Sequence, residues 1–160
     1  MHFQLLADRA DAIPTVARWH FAEWGHRVPD NSLQKTSERL RGQLNRDQLP
    51  LALLALDGDT VIGAAELKPH EMLSLYPDKQ PWLGGVFVSP ESRGKGVASQ
   101  LALRIAAMAS SLGAEQIYLQ TTSLDGGLYA RFGWRPIEQV RYRGLDVLVM
   151  EKKLLEAVAG

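Results

Sequence analysis

The strongest constraint on the fold is a glycine-rich turn that joins an apolar strand to an amphipathic helix. The strand is Trp82 to Val88, and the turn runs from Arg93 to Ala98 and carries two glycines. Apolar residues then recur three or four positions apart, which predicts a helix with one buried face. These residues are Val97, Leu101, Ile105, Met108 and Leu112. Another apolar strand, Gln116 to Thr122, follows, and a helix between two strands favours a parallel crossover in an α/β fold.

The turn has the chemistry of a phosphate site. Glycines let backbone amides approach a ligand, and the first turn of a helix has free N–H donors and partial positive charge. Arg93 and Lys95 add side-chain charge, which suits a diphosphate. Two other phosphate motifs fit poorly, because Gly94-Lys95 is not followed by Ser or Thr and the segment lacks the third glycine of a dinucleotide fingerprint. Taken alone, the glycines could equally serve only to turn the chain.

The remaining pattern predicts one domain over residues 1–160. Apolar periodicity and turn residues predict further elements on both sides of the crossover. These are a strand from Phe3 to Ala7, helices over Ile13–Trp24 and from Ser32, strands Leu51–Leu56 and Thr60–Leu67, a short helix Gly127–Phe132, and strands Trp134–Tyr142 and Leu145–Met150. Three prolines place a loop between Lys68 and Pro81. We therefore expect a mixed central sheet of about seven strands flanked by about four helices.

Composition limits the classes of function. The 18 basic residues balance the 18 acidic residues, so no overall field favours nucleic acid or an anionic membrane. There is no cysteine, which excludes a covalent cysteine intermediate. No apolar run approaches the roughly 20 residues that span a bilayer. We expect a cytoplasmic protein with no nucleic acid, no membrane and no metal among its partners. A homodimer is compatible with the sequence.

Two segments resemble a known family. The run Arg93-Gly94-Lys95-Gly96-Val97-Ala98 is similar to the pyrophosphate loop of the GNAT acetyltransferases, with Arg93, Gly96 and Ala98 at the three defined positions. Downstream, the run from Leu128 through Tyr129 to Trp134 resembles the tyrosine helix of the same family. The two motifs occur in the family's order, and the resemblance is sharpest from Trp82 to Trp134.

The resemblance implies acetyl-CoA as the acyl donor. In this family the strands on either side of the helix diverge, and the pantetheine arm enters the gap. Carried over here, the cosubstrate would be bound by strand residues and by the loop. These residues are Val86, Phe87, Val88, Arg93, Gly94, Lys95, Gly96, Val97 and Ala98. An amine of a small molecule or peptide would attack the thioester directly, and Tyr129 would be the acid that protonates the departing thiolate; a tyrosine packed in the core is the alternative.

The proton acceptor is harder to predict. Some family members have a carboxylate on the strand before the loop, but Trp82 to Val88 contains none. Glu66 is our first candidate, because a partly buried carboxylate can have a raised pKa and accept a proton. An ordinary solvated carboxylate is the alternative. His70 and Glu71 follow in the loop as weaker candidates.

The acceptor side is predicted between the first two helices and the loop from Lys68 to Pro81. Trp24, His26 and His70 are the candidate substrate-binding residues, with Trp19 and His20 beside them. An aromatic stripe that packs in the core is the competing interpretation. Four arginines make the C-terminal part locally basic, and both a solvated face and recognition of an acidic acceptor are consistent with them. These are Arg131, Arg135, Arg141 and Arg143. A non-catalytic acyl-CoA-binding regulatory domain is the alternative function.

Overall fold

The computed structural model describes residues 1–154, so residues 155–160 of the predicted domain lie outside the described part. Those 154 residues form seven strands and four α-helices. The strands are β1 (His2–Leu5), β2 (Leu51–Asp57), β3 (Thr60–Lys68), β4 (Trp82–Val88), β5 (Gln116–Thr121), β6 (Arg135–Tyr142) and β7 (Leu145–Lys153). The helices are α1 (Ile13–Trp24), α2 (Leu33–Arg41), α3 (Val97–Ser111) and α4 (Gly127–Ala130). The predicted α/β fold with a mixed sheet is confirmed.

The sheet has the order β1-β2-β3-β4-β5-β7-β6, and β4 and β5 form its parallel pair. These two strands are in register only near their amino-terminal ends, at Trp82 and Tyr118. There the Tyr118 amide donates to the Pro81 carbonyl at 3.0 Å. Beyond this point β5 continues in register with β7, whereas β4 stays with β3. A gap therefore opens between β4 and β5 towards their carboxyl ends.

Helices cover both faces of the sheet, which explains why β2 is apolar along most of its length. Leu51, Leu53 and Ala55 pack in the core under α3. The alternate residues of β2 pack in the core under α1 and α2. A third core lies under the loop between β3 and β4, where Met72 packs near the rings of Trp82 and Tyr118. None of the helices in residues 1–154 is long and apolar enough to cross a bilayer.

Several boundary predictions differ from the structure. The first strand ends at Leu5, because the chain turns into a 3-10 helix at Leu6. Ser32 caps α2 as predicted, its hydroxyl accepting a hydrogen bond from the Lys35 amide at 3.0 Å. The helix predicted from Ser32 ends at Arg41, and Thr36 and Leu40 are its buried residues.

Candidate functional site

The turn before α3 presents unbonded amides to open space. Gly94 and Gly96 both lie in the left-handed region, with φ of 77° and 80°. Within residues 1–154, no hydrogen bond is made by the amides of Gly94, Lys95 or Gly96, and no side chain caps α3. A Cβ added at Gly94 would meet nothing within 4 Å. These donors stand at the positive end of a 15-residue helix, which is a favourable place for an anion.

Arg93 attaches the turn to the end of β4. Its Nε donates to the Val88 carbonyl at 3.0 Å, and its guanidinium lies 5.3 Å from the centre of the Phe87 ring. The Phe87 ring also stacks on Trp19 at 5.1 Å and meets Trp24 edge-on at 6.4 Å. The Phe87 side chain therefore joins α1 to β4 through ring contacts. The backbone of Phe87, rather than its side chain, lies along the gap between β4 and β5.

A cleft of about 640 Å³ lies beside the gap, between α1, α2, the loop after β3, α4 and the turn between β6 and β7. Predicted site residues that line this cleft are Trp24, Glu66, His70, Val86 and Tyr129. His26 is exposed and does not line it. The 3-10 turn after α1 instead brings Arg27 to the cleft, and a substrate-binding role for His26 stays a prediction.

Glu66 on β3 is a buried, ion-paired carboxylate, 1% exposed. Its Oε1 accepts a hydrogen bond from Arg39 Nη1 at 3.0 Å, and its Oε2 lies 3.2 Å from Lys68 Nζ. Burial alone would raise the pKa of Glu66, but the charges of Lys68 and Arg39 outweigh burial and hold this pKa well below its usual range. The raised pKa predicted for Glu66 is therefore wrong. The alternative of a solvated carboxylate is wrong as well.

The ion pairs continue from β3 towards β5. Lys68 Nζ lies 2.7 Å from Glu71 Oε2, and Gln120 Nε2 on β5 donates to Glu71 Oε1 at 3.3 Å. Burial would lower the pKa of Lys68, but Glu66 and Glu71 together raise it, so the amine stays protonated. We call His20, Arg39, Glu66, Lys68 and Glu71 the buried charge network.

His20 on α1 is neutral and acts as an acceptor in this network. Arg39 Nη2 lies 2.9 Å from His20 Nδ1. An arginine side chain can only donate, so Nδ1 accepts and the proton of the neutral ring is on Nε2. Burial lowers the pKa of His20, and the opposing charge of Glu66 does not restore it.

Two glycines let β4 approach this network. At Gly85, with φ of 58°, a Cβ would lie 2.7 Å from Glu66 Oε2 and 3.0 Å from His20 Cε1. At Gly84 a Cβ would lie 2.8 Å from Glu71 Oε2. The register between β3 and β4 also shifts next to Glu66. The Gly84-Gly85 pair is the sequence signal that a charged group packs against this strand.

Tyr129 on α4 faces the cleft with its hydroxyl protonated. Its ring meets Trp134 edge-on at 6.0 Å. Burial raises the pKa of Tyr129 to about 12. In residues 1–154 the hydroxyl makes no hydrogen bond to another side chain or carbonyl, so it is free to donate to a ligand.

Sequence analysis missed Arg39 and Lys68 as parts of the site. The Arg39 side chain is 44% exposed on α2, and 27 residues separate it from Glu66. Lys68 could have been found, because residues two apart on a strand lie on the same face. No group of three potential metal ligands occurs in residues 1–154, and the absence of a metal stays a prediction.

The fold and part of the sequence match known proteins. The model of the "Acetyltransferase (GNAT) family" matches residues 13–134. No curated protein matches the chain. An aminoglycoside 6'-N-acetyltransferase in complex with coenzyme A has a TM-score of 0.75 and 15% identity, over 99% of this chain and 100% of that one.

Two further solved structures are similar. A ribosomal-protein-alanine N-acetyltransferase from Brucella melitensis has a TM-score of 0.72 and 18% identity, over 96% of this chain and 100% of that one. A variant of spermidine N-acetyltransferase from Vibrio cholerae has a TM-score of 0.70 and 18% identity, over 96% and 95% of the two chains. At these identities the likeness establishes the shared fold.

Proposed function

The chain belongs to the GNAT acetyltransferase family, and from that premise we propose that it transfers an acetyl group from acetyl-CoA directly to a primary amine. The observation that carries the proposal is the row of unbonded amides before α3, which stands beside the gap between β4 and β5. The aminoglycoside, spermidine and ribosomal-protein alanine enzymes with this fold are named for amine acceptors. Nothing in the family match supports the non-catalytic alternative.

The cosubstrate is proposed to lie along β4 and over the turn. The amides from Gly94 to Ala98 would hold its pyrophosphate, and open space at Gly94 leaves room for it. The exposed charges of Arg93 and Lys95 would contribute to the same anion. The backbone of Val86 and Val88 would pair with the pantetheine arm. The carbonyl of Val88 already accepts from Arg93, so its amide is the group offered to the arm.

The acceptor amine is proposed to approach through the cleft and lose a proton there. Glu66 is ionised and held by two cations, which makes it a poor proton acceptor at neutral pH. We assign that role to His70, whose Nδ1 is buried without a partner in residues 1–154 and whose ring lines the cleft. Glu66 instead fixes the positions of Arg39 and Lys68. Trp24 would form the apolar side of the acceptor site.

The transfer balances with one proton donor. The amine nitrogen attacks the thioester carbonyl carbon, a C–N bond forms, and the C–S bond breaks to leave the CoA thiolate. Tyr129 gives its proton to that sulfur, and the second proton that the nitrogen loses as the amide forms restores the Tyr129 hydroxyl. The first proton, taken by His70 from the ammonium group before attack, returns to solvent. Because burial keeps Tyr129 protonated, the acid is available over the whole physiological pH range.

Calorimetry and a thiol-release assay test this function. The protein is titrated with acetyl-CoA and with CoA, and then incubated with acetyl-CoA and a panel of amines and peptides. We expect both acetyl-CoA and free CoA to bind, and CoA to be released with at least one amine. His70→Gln should lower kcat about a hundredfold with little change in acetyl-CoA affinity. Absence of CoA binding would refute the proposal, and unchanged turnover would remove His70 from its role.

The remaining predictions are properties of the whole molecule. A cytoplasmic location and a homodimer are still proposals, and so is a single domain over residues 1–160. Size-exclusion chromatography with light scattering measures the oligomeric state directly.

A further inference from the structure

The charges that line the cleft divide into an inner and an outer set. Its lining includes five cations and three carboxylates. The inner set is self-neutralising, because Arg39 and Lys68 are paired with Glu66 and Glu71 at 2.7 to 3.2 Å. The outer set comprises Arg27, Lys35 and Arg143, with Glu23 as its one carboxylate. The cleft entrance within residues 1–154 therefore carries an excess of positive charge.

These outer cations have no carboxylate partner in the described part of the chain. Lys35 Nζ donates to the Asp30 carbonyl at 2.6 Å, and Arg143 lies 5.2 Å from the centre of the Tyr142 ring. Arg27 makes no hydrogen bond or ion pair to residues 1–154. All three side chains are exposed and able to turn towards a ligand.

Arg143 occupies a strained position. It has φ of 48°, and Gly144 after it has φ of 79°. A tight hairpin turn with two such residues normally has Asn, Asp or Gly at the first position, because other residues are strained there. Strain of this kind is often retained where a side chain has a function. The strained residue here is also the one that brings a cation from the β6–β7 turn to the cleft.

We propose that the acceptor is an amine that carries a carboxylate, and that Arg27, Lys35 and Arg143 attract the carboxylate. The inference rests on the proposed acetyl transfer to an amine. A polyamine acceptor would meet repulsion from the outer cations, and the inner carboxylates are already neutralised by their own partners. A free amino acid and an acidic peptide share the required chemistry.

A matched series of acceptors tests the proposal. Hexylamine, ε-aminocaproate and hexamethylenediamine present one amine at the same chain length with a neutral, anionic or cationic far end. Propylamine, β-alanine and propanediamine repeat the series at a shorter length. We expect kcat/KM to favour the carboxylate member about tenfold over the neutral one at low salt, and to disfavour the diamine. Raising the ionic strength should reduce both differences.

The Arg143→Asn variant removes the charge of the side chain while keeping a residue that suits the turn. Asparagine tolerates the left-handed conformation, so this variant should be at least as stable as the parent and should still lose most of the preference for the carboxylate. Arg41→Gln is the control, since Arg41 is exposed on α2 and does not line the cleft. A preference that survives Arg143→Asn, Arg27→Gln and Lys35→Gln unchanged would overturn the proposal.

A binding measurement decides the case where no acceptor turns over. Calorimetry of ε-aminocaproate, hexylamine and hexamethylenediamine with the CoA-bound protein should give the same order of affinity. Equal affinities, or a preference for the diamine, would overturn the inference while leaving the acetyltransferase proposal intact. Loss of CoA binding would instead refute the proposed function. Comparing β-alanine and phenylalanine with an acidic tripeptide distinguishes a small amino acid from a peptide.

Discussion

Arg39 Nη1 lies 3.0 Å from Glu66 Oε1, although the Arg39 side chain is 44% exposed and the Glu66 side chain is 1% exposed. An arginine on a solvated helix thus reaches into the protein and partly neutralises a buried carboxylate. Lys68 does the same from β3 itself. A buried carboxylate with two such partners contributes to the stability of the fold. Replacing Glu66 therefore tests both its contribution to stability and its role in the mechanism.

Glu66→Gln should destabilise the protein by about 3 kcal/mol at neutral pH, because it leaves Arg39 and Lys68 without their shared partner. Folding lowers the pKa of Glu66, so the carboxylate contributes stability above its unfolded-state pKa of about 4.3. That contribution is lost as the pH falls below this value towards the folded-state pKa. Urea unfolding of parent and variant across the pH range measures the difference.

Glu91→Gln is the control for this experiment, since Glu91 is exposed and makes no ion pair in residues 1–154. The Glu66 variant should keep the shape of the parent's pH–rate profile near neutrality. Disappearance of a kinetic pKa between about 5 and 7 would return Glu66 to the role of proton acceptor.

Tyr129→Phe should lower kcat about a hundredfold and change acetyl-CoA affinity little, because only the proton donor is removed. Burial raises the pKa of Tyr129 to about 12, so the parent should show no alkaline loss of activity from this group below about pH 10. Steady-state kinetics with calorimetry checks both. Tyr76→Phe, outside the cleft, is the control, and equal activities of the two variants would exclude the acid role.

Gly96→Ala should weaken acetyl-CoA binding at least about tenfold, because a side chain at a positive φ distorts the row of amides. Gly113→Ala is the matched control at the other end of α3, with φ of 94°. Both variants should lose about 1 kcal/mol of stability from the same kind of strain. Thermal unfolding measures that loss, and calorimetry measures affinity. Similar affinities in the two variants would argue against an anion at the turn.

Gly85→Ala should be much more disruptive than Gly58→Ala. The two glycines have nearly equal φ, 58° and 59°, but a Cβ at Gly58 meets nothing within 4 Å. At Gly85 it would collide with Glu66 Oε2 and His20 Cε1. We expect roughly 2 kcal/mol of additional destabilisation at Gly85. Denaturant unfolding of both variants gives the comparison, and equal losses would contradict the crowding seen beside Glu66.

The fold was largely predictable because its signals are local. The apolar runs of the strands, the turn residues between them and the spacing along α3 each determine an element within a short window. Both faces of the sheet are covered by helices, so whole strands are apolar and easily recognised. The motif around Gly96 also lies within one turn and one helix.

The buried charge network was only partly predictable, because its contacts to His20 and Arg39 join distant segments. Arg39 and Glu66 meet only through the packing of α2 against the sheet, and a register shift beside Glu66 sets the approach of Gly85. The pKa of Glu66 depends on those partners and was therefore predicted in the wrong direction. The 3-10 turn after α1 is equally hard to predict, and it decides that Arg27 rather than His26 lines the cleft.

The single registered contact between β4 and β5, at Trp82 and Tyr118, has a mechanical consequence. The two halves of the sheet are joined by β4–β5 pairing at one end of the gap, and an extended arm bonded along β4 would act as an additional strand in the open seam. Binding of the arm would then make β4 more rigid, and amide hydrogen exchange along β4 would be slower. Departure of the spent thiol would require that seam to open again, and we expect the faster amide exchange along β4 to return with it.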